Sequence, residues 1–238
     1  MSTLKFLPML GTAAFVSLST QAAMAEETTY AFQDFSRIKV AQGIEVRIVS
    51  GADEYRVTGE AGGLTGTDPL KITQSGAELS IQRKKRWSPM MGLFDGALKV
   101  TVELPELSRL SVHAGAQASL SGAVASEVAF DVTSGSELNA RGIEAEAIYL
   151  EASSGSQMNI SGQCQQLDVS ASSGADIDAY ALRCARVRAS ASSGADIDLT
   201  ATQSVRAKAS SGGDVSVKGN PSERDVSHAI GGAVRIES

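Results

Sequence analysis

A motif built around glycine recurs through the second half of the chain at intervals of 18 to 20 residues. In its most regular form it reads ASSGADID, and this form occurs twice. A repeat this short constrains the fold strongly, because one copy cannot bury its own apolar face and must stack on the next. The glycines of successive copies are Gly115, Gly135, Gly155, Gly174, Gly194 and Gly212.

Apolar and polar residues alternate on both sides of each glycine, with the period of a β-strand that has one buried face. The apolar positions lie five and three residues before the glycine and three residues after it. Stacked copies would place equivalent residues in ladders inside a coil. Copy by copy, these residues are Leu110, Val112 and Ala118; Phe130, Val132 and Leu138; Leu150, Ala152 and Met158; Val169, Ala171 and Ile177; Ala189, Ala191 and Ile197; Ala207, Ala209 and Val215.

The pattern predicts an all-β chain: a single-stranded right-handed parallel β-helix with short coils of about 20 residues. Parallel crossovers are overwhelmingly right-handed, and glycine suits a tight corner between two strands. The alternative is an antiparallel meander or barrel, but Asn-Gly and Asp-Gly hairpin turns are absent from the repeat. Aromatic residues make up only 5% of the chain, which favours a thin core of small residues over a sandwich.

We expect one β-helical domain over residues 26–238. Residues 110–219 hold the regular repeats, and residues 220–238 are predicted to add a C-terminal turn and a strand. Residues 26–109 alternate less regularly and are predicted to form irregular first coils with a long loop at 83–97. Terminal coils are expected to be atypical because they must cover the exposed core.

The first irregular coil is predicted to contain two strands that turn at Gln42 and Gly43. Alternating apolar residues mark the two strands on either side of this turn. They are Ile38 and Val40 before it, and Ile44, Val46 and Ile48 after it.

The first 25 residues have the composition of an export signal. Lys5 provides a positive start, residues 6–18 form an apolar run, and Ala23-Met24-Ala25 is a small-x-small cleavage site. The run is too short for the roughly 20 apolar residues of a membrane span, and no later segment is long enough. Cleavage would remove Lys5 and no acid, making the −6 chain one unit more negative. Such an acidic chain is a poor candidate for nucleic-acid binding.

Three sequence blocks in a fixed order resemble a known family. FSRIKVAQGIEVRIV comes first, LKVTVELPELSRLSV follows, and the repeated Ser-Gly coils complete the series. Together they resemble the auto-transporter adhesin head domain, the GIN domain, over Tyr30 to Ser238. The resemblance implies a β-helical envelope or surface protein with an adhesin-like binding role. It brings no residues with a defined function.

The only two cysteines, Cys164 and Cys184, lie one repeat apart. Stacked coils would bring their Cα atoms into disulfide range, and an exported protein meets an oxidising environment. Their registers differ by one residue relative to the preceding glycines, a slip that a loop would have to absorb. A structural disulfide is therefore predicted, with two free thiols as the alternative. Metal binding by two cysteines without a nearby histidine is much less favoured.

Two polar ladders are predicted on the outside of the coil, beside the buried ladder after each glycine. Stacked carboxylates repel one another, so a cation such as Ca²⁺ would relieve them. A solvated acidic face that opposes aggregation explains the same residues and is favoured, so no metal is predicted. One ladder holds Glu137, Gln157, Asp176, Asp196 and Asp214, and the other holds Asn139, Asn159, Asp178 and Asp198.

The sequence contains no recognisable catalytic constellation. Glycoside hydrolysis requires one distinct pair of carboxylates, whereas the acids here repeat as a ladder. His113 and His228 lie far apart in the sequence, and the serines lack the G-x-S-x-G arrangement of a nucleophile elbow. We therefore predict a protein without enzymatic activity or cofactor, and keep a polysaccharide-active enzyme as the least favoured alternative.

One segment, RKKRWSPMMGLFDG, interrupts the alternating pattern. A basic tetrad followed by large apolar residues suits either a contact loop for a partner or a flap that caps the core. The candidate binding residues are Arg83, Lys84, Lys85, Arg86, Trp87, Met90, Met91, Leu93 and Phe94.

The leading functional hypothesis is a non-enzymatic exported envelope or surface protein, adhesin-like by resemblance. Its partner would be an unknown envelope or surface ligand, a protein or a glycan. A structural periplasmic β-helix protein that contacts envelope components is the alternative. An uncovered coil end would also permit a homo-oligomer.

Overall fold

The computed structural model describes residues 26–63, 69–84, 95–122 and 124–237. The predicted signal peptide, residues 1–25, lies outside this part of the chain. Every regular element in the described ranges is a β-strand. The strands are β1 (Glu26–Tyr30), β2 (Arg37–Ala41), β3 (Glu45–Ser50), β4 (Arg56–Gly63), β5 (Leu70–Ser75), β6 (Glu78–Arg83), β7 (Asp95–Leu104), β8 (Arg109–His113), β9 (Gln117–Gly122), β10 (Glu127–Thr133), β11 (Glu137–Ser153), β12 (Gln157–Ser172), β13 (Asp176–Ser192), β14 (Asp196–Ser210), β15 (Asp214–Lys218), β16 (Glu223–His228) and β17 (Ala233–Ile236).

Successive repeats stack in parallel, which confirms the β-helix and excludes the antiparallel meander for the repeat region. The solenoid has about 6 turns of roughly 20 residues each. Phe130 pairs with Leu110 and Leu150, and Leu138 pairs with Ala118 and Met158. All the inward residues predicted from the repeat are buried. Because each is covered by its counterparts above and below, the core consists of continuous apolar ladders.

Each coil has two long sides. Sheet 1 contains the strands before the glycine corner: β5, β6, β2, β8, β10, the second halves of β11 to β14, and β16. Sheet 2 contains the strands after it: β1, β4, β7, β3, β9, the first halves of β11 to β14, β15 and β17. A short third side joins sheet 2 back to sheet 1.

The corners use two consecutive residues in the left-handed backbone region. In one corner, φ is 58° at Ser154 and 68° at Gly155, and the predicted Gln42-Gly43 turn has the same form. The Gly155 amide donates a hydrogen bond to the carbonyl oxygen of Ser173 in the next coil, at 3.1 Å. The glycine was predicted at this position, whereas the positive φ of the serine was not. The corners thus form a hydrogen-bonded ladder of their own, which compensates the backbone cost of the serine.

The N-terminal coils are not stacked in chain order, which corrects the predicted series of successive first coils. The strands β2 and β3 form as expected, but β2 lies between β6 and β8, and β3 lies between β7 and β9. The coil made of β6 and β7 is therefore the outer one. Antiparallel β5 extends sheet 1 beyond it, and antiparallel β4 and β1 extend sheet 2.

The C-terminal segment contains two strands where one was predicted. The strand β16 adds to sheet 1 and β17 adds to sheet 2, so together they form a last partial coil. Nothing in the described residues stacks on this coil, and Val226 is 44% exposed although it continues an inward ladder. Arg224 occupies another inward position and donates hydrogen bonds to the Pro221 carbonyl oxygen and to Asn220 Oδ1.

The predicted disulfide between Cys164 and Cys184 is present, with the Cα atoms 4.5 Å apart. Both residues are buried, and they pair directly between β12 and β13. The one-residue slip is absorbed by a register shift between Asn159 and Gly162, a bulge within the strand rather than a loop.

We predict that replacing both cysteines by alanine lowers the free energy of unfolding by about 2–4 kcal/mol, because the bridge restricts the unfolded chain. Chemical denaturation with and without a reductant measures the loss. Far-UV circular dichroism should stay β-rich, and a thiol assay on denatured, unreduced wild-type protein should detect no free thiol. Detection of two thiols would contradict the bridge.

Two glycines are expected to respond very differently to substitution. A Cβ on Gly174 would meet nothing within 4 Å, so Gly174→Ala should cost only the left-handed backbone, about 1–2 kcal/mol. A Cβ on Gly162 would lie 2.0 Å from the backbone oxygen of Ile143. Gly162→Ala should therefore cost at least about 3 kcal/mol, in the upper range of overpacking. Denaturant unfolding measures the free energy of unfolding of each variant, and equal decreases for the two would contradict this account of the bulge.

Candidate functional site

The predicted binding loop begins where a corner would be expected. The strand β6 ends at Arg83, whose amide donates to Gln42 Oε1 at 2.9 Å. The Lys84 amide donates to the Pro69 carbonyl oxygen at 2.8 Å. The segment that follows β6 therefore leads from sheet 1 to β7 in sheet 2, the same connection that a Ser-Gly corner makes in the repeats. The other predicted residues lie outside the described residues: Lys85, Arg86, Trp87, Met90, Met91, Leu93 and Phe94.

A groove of about 640 Å³ runs over the outer face of sheet 1, in a region that the sequence analysis did not single out. It crosses six strands, from β8 to the second half of β14. Its outward-facing lining residues belong to two columns of the repeat, six and four residues before each glycine. The first column is Arg109, Ala129, Tyr149, Asp168, Arg188 and Arg206. The second includes Asp131, Glu151, Ser170, Ser190 and Lys208.

The outward direction of these residues follows from the strand period, because the positions five and three before the glycine point into the core. The same count therefore identifies the groove columns from sequence alone. They were missed because outward residues differ from copy to copy, and only their neighbours keep a common character. The position that Tyr149 occupies is taken by Ala129 in the preceding coil and by Asp168 in the following coil.

Tyr149 is the large apolar side chain on this face, and it is 42% exposed. Monomeric proteins commonly place single exposed hydrophobic residues on their surface, so exposure alone does not define a site. Here the ring stands in a groove, beside the small Ala129 and the polar Asp168. Tyrosine in this setting offers a flat apolar surface with a polar end.

Charge changes sign twice along the groove. Arg109 lies on β8 at one end, acidic side chains follow, and further cationic side chains lie at the other end. Asp131, Glu151 and Asp168 lie on β10, β11 and β12, whereas the cationic side chains beyond them lie on β13 and β14. Arg188 Nη1 is 3.5 Å from Asp168 Oδ2 across the boundary. The cationic half comprises Arg188, Arg206 and Lys208, with Arg186 in the adjoining depression.

The ion pairs in this half are exposed. Arg206 Nε is 2.7 Å from Asp225 Oδ2, and both side chains are more than half exposed to solvent. Exposed pairs contribute little to stability and exchange partners readily. Arg186 and Lys208 form no ion pair with any described residue. This end of the groove therefore presents donors to a ligand without first breaking a buried interaction.

Sheet 2 carries the two polar ladders predicted from sequence, in the predicted register. Glu137, Gln157, Asp176, Asp196 and Asp214 pair in succession, as do Asn139, Asn159, Asp178 and Asp198. Partial burial, then the charges of Asp196, Asp198 and Asp178, raise the pKa of Asp176 above its usual value. Asp214 differs because Arg235 Nη1 lies 3.3 Å from its Oδ2.

The two histidines lie on different strands of sheet 1, His113 at the end of β8 and His228 at the end of β16. His113 Nδ1 lies 2.8 Å from Thr133 Oγ1, and His228 lies on the last sheet 1 strand. Within the described ranges, no three His, Cys, Asp or Glu side chains are arranged to hold a metal ion. Across the same ranges, no helix is long and apolar enough to cross a membrane.

Asp176→Asn should stabilise the protein at pH 7 by about 0.2–1 kcal/mol, the range for relief of a like-charge cross-strand pair. A carboxyl whose pKa is raised by folding loses stability as the pH rises from 3.8 through the folded value. The gain from Asn should therefore be present at neutral pH and vanish as the pH falls towards 3.8. Denaturant unfolding across this range measures it.

Asp214→Asn is the matched control on the same ladder, because this change removes a carboxylate that already has a cationic partner. It should give no stabilisation at pH 7. Equal increases in the free energy of unfolding for the two variants would contradict the conclusion that charge repulsion is concentrated at Asp176.

Comparison with known proteins agrees with the fold. A crystal structure of a "putative adhesin" from Bacteroides fragilis superimposes with a TM-score of 0.77, at 16% identity, covering 91% of this chain and 98% of that one. A "putative lipid binding protein" from Parabacteroides distasonis gives 0.67 at 13% identity, with coverage of 91% and 98%. A "putative adhesin" from the same species gives 0.65 at 18%, with coverage of 90% and 96%. At these identities the likeness concerns the fold alone.

The comparison with curated proteins finds no match. The sequence does match a family over residues 34–221, most of its length and nearly the whole described β-helix. This match confirms the resemblance inferred from the three sequence blocks. The chain belongs to the family described as "putative auto-transporter adhesin, head GIN domain".

Proposed function

We propose that this protein is a non-enzymatic, exported adhesin-like module that binds an envelope or surface ligand in the sheet 1 groove. The observation that carries the proposal is Tyr149, an exposed aromatic ring seated in a groove with charged groups on the neighbouring strands. Ligand sites typically combine concave shape, apolar surface and a few polar groups. The adhesin-like family supports a binding role and an exported or surface location.

The rigidity of the scaffold supports the groove as the binding surface. Its strands β10 to β13 pair with a neighbour on each side, and the side chains beneath them are buried in the core. The backbone of such strands is held in position before a ligand arrives. Little conformational entropy is then lost when the ligand binds.

The arrangement of acids favours binding over catalysis. Asp168 is engaged by Arg188 at 3.5 Å, and Asp131 and Glu151 pair directly on adjacent parallel strands. A glycosidase needs one acid to donate a proton and another to act as base or nucleophile across a single bond. Acids spread over three neighbouring strands supply hydrogen-bond acceptors but no such division of roles.

The test is binding of labelled mature protein to intact cells and to envelope fractions of the producing organism. Tyr149→Ala should weaken binding at least tenfold. Arg141→Ala, an exposed change on the same strand outside the groove, should leave it unchanged. Circular dichroism and thermal unfolding verify that both variants are folded.

The same experiment tests the predicted binding loop with a double variant, Trp87→Ala combined with Phe94→Ala. Loss of binding with this variant but not with Tyr149→Ala would show that the ligand binds the loop and not the groove. Binding that no variant alters would contradict the module and favour the structural periplasmic alternative. Protease treatment of intact cells, with a periplasmic protein as control, distinguishes a surface from a periplasmic location.

A further inference from the structure

The groove has the dimensions of a trough for a linear molecule. Its six strands are about 4.8 Å apart, so it extends roughly 24 Å along the solenoid axis. Between the charged groups, small side chains leave the surface low at Ala129, Ser170 and Ser190. An extended chain can lie in such a trough and contact one strand after another.

The sheet does not offer its backbone to such a chain. Within the groove, β10 pairs with β8 and β11, and β12 pairs with β11 and β13. Amide and carbonyl groups of these strands are therefore already used in the ladder. A peptide that binds by strand addition requires a free edge, so recognition here must come from side chains.

The half of the groove around Tyr149 suits a neutral sugar ring. The tyrosine ring provides an apolar platform for the carbon–hydrogen face of a pyranose. Glu151 on the same strand and Asp168 on the next are carboxylates, which accept hydrogen bonds from hydroxyl groups. The same carboxylates would repel an anionic group placed between them.

The other half suits an anionic group. Arg188 and Arg206 pair directly between β13 and β14, and Lys208 lies two residues further along β14. Guanidinium groups bind carboxylates through two parallel hydrogen bonds. Arg188 and Arg206 each have one exposed acidic partner, Asp168 and Asp225. Lys208 has none among the described residues, so the cluster keeps a net positive charge that an anionic ligand can neutralise.

We propose that the groove binds a linear acidic oligosaccharide along the solenoid axis, with a neutral ring on Tyr149 and a carboxylate at Arg188, Arg206 and Lys208. This assignment rests on the proposed function and specifies its ligand class. A pyranose ring advances a chain by about one strand spacing, and Tyr149 and Arg206 are three strands apart, a separation of roughly 14 Å. A chain that alternates neutral and acidic sugars can therefore contact both halves at once.

The probe is a hexasaccharide that alternates glucuronate with N-acetylglucosamine, titrated calorimetrically into the purified mature protein. The matched ligand is the same hexasaccharide with its carboxylates methyl-esterified. Binding of the acidic form should weaken at least tenfold on esterification. It should also weaken when NaCl is raised from about 50 mM to about 500 mM, a range over which exposed charges become screened.

Protein variants separate the two halves of the groove. Arg188→Ser combined with Lys208→Ser should weaken binding of the acidic form at least tenfold and leave binding of the ester unchanged. Tyr149→Ala should weaken both ligands. Arg183→Ser combined with Lys218→Ser is the control, because it removes the same charge from β13 and β15 at exposed positions outside the groove. Circular dichroism and thermal unfolding verify that every variant is folded.

Equal affinity for the acidic and esterified ligands would overturn the proposal, and so would an equal loss in the control variant. Failure of both ligands to bind, together with Tyr149-dependent binding to envelope fractions, would also overturn it while the proposed function stands. Loss of Tyr149 dependence in both experiments would contradict the proposed function itself.

Discussion

The structure depends on one constraint, which is that no coil can bury its apolar residues without a neighbour. Inward residues such as Leu150 and Val169 are covered from above and below by their counterparts in adjacent coils. The corner hydrogen bonds also link neighbouring coils, since the corner glycine amides from Gly115 to Gly194 each donate to the next coil. Stacking of coils thus supplies both the hydrophobic and the hydrogen-bonding stabilisation. The first and last coils each lack one neighbour, so their apolar residues need another form of protection.

The two ends of the solenoid protect the core in different ways. At the N-terminal end, antiparallel β5, β4 and β1 extend the two sheets beyond the outer coil. At the C-terminal end, Val226 and Ile230 remain exposed on the last partial coil. Arg224 and His228 stand at inward positions there, opposite Val205 and Ala209. A charged arginine at an inward position of an edge strand opposes pairing with another sheet, so polar side chains rather than a covering segment protect this edge.

The repeat allowed the coil, its inward ladders and the disulfide to be predicted, because each depends on the spacing of residues along one chain direction. The order of the N-terminal strands was not predictable in this way. Alternation at Ile38 and Val40 indicates which face is buried but does not identify the neighbouring strand. Chain order would place β2 outside β6, whereas the structure places it between β6 and β8. The sequence pattern is the same for both arrangements.

The groove was missed for a related reason. Inward positions are similar from coil to coil because each must fit the same narrow core, whereas outward positions are free of that demand. Tyr149, Asp168 and Arg188 occupy equivalent positions in three successive coils and share no chemistry. Repetition in the sequence therefore indicates the buried scaffold and not the outward surface. In a solenoid, outward residues that depart from the repeat can change without altering the ladders that hold the fold together, so a binding surface can diversify on a constant core.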